Sequence, residues 1–140
     1  MSETEIFSSM IGSVMTRVDG GIVDSDRMTF IRNDGVTFSF FHWQNCCERV
    51  SIEDIVGDIG DLIGFPIVEA SETSSKGPND FESSTWTFYR FSTVKGTVTV
   101  RWLGTSNGYY SERVSFEMKP ECGHASCVED ECVINKVMTE

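Results

Sequence analysis

The chain has 140 residues, a formal net charge of −11, and a composition that is 39% hydrophobic and 11% aromatic. That length and apolar content suit one domain with its own core and exclude a disordered chain, while the negative charge argues against general nucleic-acid binding, where phosphates demand basic residues. No apolar run approaches the roughly 18 residues of a membrane span, and the acidic start MSETEIFSSMIGS is unlike the basic start of a signal peptide, so the expectation is a soluble cytoplasmic protein with no membrane partner.

Residues 9–18, SMIGSVMTRV, are short and apolar and predict a first strand, followed by turn residues in VDGGIVDSD. RMTFIR (27–32) alternates, NDG (33–35) is a hairpin turn, and VTFSFFHW (36–43) is the return strand. Period two puts Phe38, Phe40 and His42 on one face and Phe41 and Trp43 on the other. SIEDIVGDIGDLIG (51–64) changes period. Ile52, Ile55, Val56, Ile59, Leu62 and Ile63 fall at helical spacing, Ser51 suits an N-cap, and Glu53 and Asp54 suit the positive end of a helix dipole. Gly57 and Gly60 would each cost such a helix about 0.5–1 kcal/mol, so packing would have to hold it. Gly64 and Pro66 stop it.

PIVEASE (66–72) reads as a short strand and TSSKGPNDFESS (73–84) as a loop. TWTFYRF (85–91), GTVTVRWLG (96–104) and YYSERVSFEM (109–118) then form a meander. The expected fold class is α+β: a mainly antiparallel β-sheet, hairpin plus three-stranded meander, with one covering helix over Trp86, Phe88, Val98, Val100 and Trp102. Residues 1–118 make the domain, and 119–140 are a Cys-rich C-terminal tail.

Charge is unevenly placed. Residues 53–82 hold eight acids against Lys76, whereas residues 83–116 hold Arg90, Lys95, Arg101 and Arg113 against Glu112. The acids Glu53, Asp54, Asp58 and Asp61 lie off the apolar stripe of the expected helix and form a candidate surface for a basic protein partner. They lack the EF-hand calcium pattern. Arg90, Arg101 and Arg113, near Asn107, Tyr109 and Tyr110, combine bidentate cations with stacking rings and suit a nucleotide or phosphate ligand. GTSNG is a hairpin turn, not a phosphate loop.

Five cysteines, an odd number, favour free thiols or metal ligation over a disulfide framework. Cys46 and Cys47 suit small semi-buried residues at a strand-to-helix junction. A strand continuing from His42 through Cys46 would hold the two about 13 Å apart, too far for a base and its thiol. Cys122, His124, Cys127 and Cys132 are soft ligands of the kind zinc takes, at a spacing that matches no zinc-finger pattern.

The stretches HWQNCCERVSIEDIVGDIGDLIGFPIVEASE and TWTFYRFSTVKGTVTVRWLGTSNGYYSERV resemble an uncharacterised family of small bacteriophage and prophage proteins, over roughly residues 25–116. The resemblance implies phage origin and expression inside a bacterium, and no activity. The leading expectation is therefore a non-catalytic phage accessory protein, without cofactor, that binds and inhibits a host protein such as a defence factor through the acidic surface. The second is a small-ligand binder, working as a homo-oligomer, that sequesters a nucleotide signal at the Arg/Tyr patch. The third is a zinc- or thiol-dependent enzyme.

Overall fold

The computed structural model describes residues 3–120. Helix α1 (Glu3–Met10) is followed by β1 (Met15–Asp19), β2 (Arg27–Arg32), β3 (Thr37–Phe41), β4 (Arg49–Val56), a 3-10 turn (Ile59–Leu62), β5 (Glu69–Lys76), β6 (Ser83–Thr93), β7 (Gly96–Ser106) and β8 (Ser115–Lys119). The strands form two antiparallel four-stranded sheets, ordered β1-β2-β3-β8 and β4-β7-β6-β5. No helix among the described residues is long and apolar enough to cross a membrane.

The alternation of apolar residues along each strand packs the sheets face to face. Phe30 and Phe40 of the first sheet meet Phe91 and Tyr89 of the second, with ring centroids 4.8 and 4.9 Å apart. Met28, Phe38, Ile52, Val98, Val100 and Trp102 complete the same core. Ile6 and Met10, one helical turn apart, bury one side of α1. Phe7 reaches Phe40, Tyr89 and Phe116, so α1 closes the gap between edge strands β5 and β8.

The expected hairpin is present: β2 and β3 pair around a turn in which Gly35 takes φ 92°, a left-handed conformation natural to glycine. Three expectations are corrected. The segment 51–64 is no helix but an edge strand followed by a 3-10 turn. A bulge between Ile52 and Asp54 makes Val50, Ile52 and Ile55 face the evenly spaced Gly104, Trp102 and Val100. One extra residue thus converts a strand's period of two into an i, i+3 step that imitates a helix. The only α-helix among the described residues is α1, which meets the segment read as a first strand only at Ser9 and Met10, while β1 takes up its residues 15–18. The 109–118 segment does not extend the meander, because β8 crosses to the first sheet and pairs with β3. Finally, Trp86 and Phe88 lie on the outer face, since Trp86 pairs with Leu103 while Thr87 pairs with the buried Trp102.

Candidate functional site

The two ends of the sandwich differ in chemistry. At one end, β4 stops at Val56, and Gly57 at φ 109° turns the chain into the 3-10 segment, which Asp58 caps by accepting from Gly60 N at 2.9 Å. The Thr93 hydroxyl bonds the Asp61 carbonyl, holding this turn against the β6–β7 connection. Lys95 Nζ lies 5.6 Å from the Phe65 ring centre. Val94 (78% exposed), Val56 (63%) and Phe65 (38%) stand out at this end beside Asp58 and Asp61. Four acids expected on one helix face are therefore split. Asp58 and Asp61 sit in the turn, Glu53 is exposed at the bulge, and Asp54 faces Arg101 at 3.7 Å.

At the other end, the β3–β4 loop is built around a buried His–Glu pair. His42 Nε2 donates to Glu48 Oε2 at 2.7 Å, and Nδ1 donates to the Arg113 carbonyl at 2.7 Å. Glu48 also accepts from the Asn45 and Cys46 amides at 2.8 and 2.9 Å. Both ring nitrogens thus face oxygens, which suits an imidazolium against a carboxylate and leaves neither nitrogen open as a base toward the cysteines. Burial pushes the Glu48 carboxyl up, but the bonds from His42 and the two amides outweigh it and hold it at about 2, against an ordinary 4.5. Cys46 and Cys47 are joined to each other in a disulfide and are exposed, at a strand-to-strand loop; they are neither free thiols nor semi-buried at a strand-to-helix junction. Trp43 is exposed on the same loop and packs on Phe41.

Because its folded carboxyl lies below its unfolded value, Glu48 contributes stability above pH 4.5 that is lost as pH falls through about 2. An NMR titration following the Asn45 and Cys46 amides should show their resonances move with a midpoint near 2. A midpoint near 4.5 would show that the pair does not hold the carboxylate.

Next to this loop lies a groove of about 530 Å³ between the inner face of β5 and β6 and the 107–114 loop. Tyr110 and Arg113 line it with Ser83, Thr85, Thr87, Glu72 and Glu112. Asn107 and Tyr109 are on the same loop, outside the lining. Arg90 and Arg101 are elsewhere: Arg90 pairs with Glu69 at 3.2 Å, and Arg101 stacks over Trp86 at 4.4 Å on the outer face. The Arg/Tyr patch expected from sequence is therefore divided between two faces of one sheet. Cys122, His124, Cys127 and Cys132 lie outside the described residues.

Residues 8–116 match the model of a family described as a domain of unknown function, DUF7448. The chain belongs to this family. The match runs from the last residues of α1 to the start of β8, so it includes both ends described above. No curated protein and no solved structure matches the chain. The His42–Glu48 pair and the Glu112 groove had no motif to announce them. The one signal was the glutamate directly after the cysteines, and its meaning depends on a loop closing back on itself.

Proposed function

We propose that this domain is a non-catalytic binding module that engages a basic protein partner through the end of the sandwich carrying Val56, Phe65, Val94, Asp58 and Asp61. The observation that carries the proposal is the exposure of three large apolar side chains beside two carboxylates. An apolar centre with a charged rim is the anatomy of a specific protein interface. The acids steer a basic partner and set its orientation, and the apolar side chains supply the affinity. In line with the resemblance to phage proteins, the partner is a host protein, such as a defence factor, that the module blocks by occupancy. The closure of both His42 nitrogens by hydrogen bonds supports binding over thiol catalysis.

Val94→Asp changes an exposed turn residue, and Asp58→Asn removes charge while keeping a capping side chain. Bait protein and each variant would be immobilised and exposed to bacterial lysate, and the recovered partner then purified and titrated. Val94→Asp should weaken its binding at least about tenfold, the usual loss at an interface anchor, and Asp58→Asn should slow association in a salt-dependent way. Equal capture by wild type and Val94→Asp would remove this surface from the interface.

A further inference from the structure

We propose that Cys46 and Cys47 form a reversible exchange site for an incoming dithiol, and that the redox state of the pair sets how firmly the β3–β4 loop is held on the Glu48 carboxylate. The two cysteines are neighbours in sequence, joined to each other on an exposed loop. A disulfide stabilises a fold chiefly by closing a loop of the unfolded chain, and the gain grows with the length closed. A bridge between adjacent residues closes almost no chain, so tying distant segments together is not what this bond does. Its exposure points the same way. Both residues are open to solvent, where a thiolate can reach them, and exposed disulfides are the readily exchanged ones.

The main chain couples this bond to the buried pair beside it. With the side chains joined, the Cys46–Cys47 peptide lies inside a small covalent ring that restricts its backbone. The carbonyl of that peptide accepts from Gln44 Nε2 at 3.1 Å, and the Cys46 amide donates to Glu48 Oε1 at 2.9 Å. Glu48 Oε2 accepts from the Asn45 amide at 2.8 Å and from His42 Nε2 at 2.7 Å, outside the ring. Opening the ring frees the Cys46–Cys47 backbone and loosens the Cys46 amide bond, while Asn45 and His42 keep their hold on Glu48.

The step balances between the two dithiols. A thiolate of the incoming molecule attacks one sulfur, the S–S bond breaks, and the other cysteine leaves as a thiolate. The second thiolate of the incoming molecule then attacks the mixed disulfide and releases the remaining cysteine. Two electrons pass to Cys46 and Cys47, the incoming dithiol becomes a disulfide, and the protons it gave up end on the two cysteines. Both nitrogens of His42 are already engaged, so the attacking thiolate is supplied by the incoming molecule and no base of this chain is needed.

The test treats the full chain, without denaturant, with dithiothreitol as the dithiol. Alkylation with iodoacetamide, digestion and mass measurement then report the state of the peptide carrying Cys46 and Cys47. Before treatment that peptide should carry no label and have the mass of the joined pair. After treatment both cysteines should be labelled, and replacing the reductant with oxidised glutathione should restore the joined pair. Amide NMR in parallel should show the Cys46 resonance shift on reduction, more than that of Asn45, and return on reoxidation. Cys46→Ser/Cys47→Ser should hold the reduced positions with or without dithiothreitol. A thermal melt would confirm that this variant folds, and the wild-type reduction decides the matter if it does not. Val94→Asp, at the opposite end, should exchange as wild type does, so this site and the proposed protein interface stand or fall separately. Four outcomes would each overturn the proposal: label on both cysteines even after oxidised glutathione, reduction only in denaturant, disulfides from Cys46 or Cys47 to Cys122, Cys127 or Cys132 in place of the adjacent bond, or a Cys46 amide resonance that stays put on reduction.

Discussion

Trp102→Ala should lower the unfolding free energy by about 3–5 kcal/mol, the range for removing a large buried aromatic and leaving a cavity. Trp102 is fully buried on the inner face of β7, opposite Ile52 on one neighbour and Thr87 on the other. It therefore stands in the centre of the second sheet, where collapse around the cavity is restricted on both sides. Trp102→Phe should cost less than volume alone suggests. The indole Nε1 is buried without a hydrogen-bond partner among the described residues, and phenylalanine removes that donor. Chemical denaturation of the three proteins measures both differences. A loss below about 1 kcal/mol for Trp102→Ala, less than any buried aromatic should show, would place the residue outside the core.

Gly57→Ala has an outcome whose sign separates two structures for the same segment. In a helix over 51–64, alanine at this position would stabilise by roughly 0.5–1 kcal/mol. In the structure, Gly57 has φ 109°, and a Cβ there would lie 2.5 Å from the Thr97 carbonyl oxygen, a main-chain atom of β7 that cannot swing away. The substitution should therefore destabilise by about 1–3 kcal/mol, the usual cost of a strained backbone position. Gly60 is the control: a Cβ there meets only the Asp58 side chain, at 3.2 Å, which has room to move. Gly60→Ala should be much milder. If Gly57→Ala raises the melting temperature instead, the segment is helical.

Much of the strand content was legible in the residues. The β2–β3 hairpin follows from alternation on either side of Asn-Asp-Gly, and strands β6 and β7 from Thr, Val and aromatic residues alternating around a Lys-Gly turn. The failure at 51–64 has an identifiable cause. Ile52 and Ile55 are three apart, and only the paired strand reveals that a bulged residue, not a helical turn, brings them to one face. The two glycines were the counter-signal, and at Gly57 the conformation is one that an ordinary helix never takes.

The sequence by itself determined an antiparallel, strand-rich domain with an acidic middle, because alternation, turn residues and charge are local properties of the chain. Which sheet β8 joins, and hence that the domain is a two-layer sandwich, was decided by tertiary structure, since β8 pairs with β3 across more than seventy residues of chain. The candidate sites depend on the same step. His42 meets the Arg113 carbonyl only because β8 returns to β3, and Glu112 reaches Thr85 only because the loop before β8 folds over β6. Hydrogen bonds of this kind have no spacing in sequence. They arise where the two sheets bring distant loops to one end, and burial then makes each unpaired donor or acceptor too costly to leave.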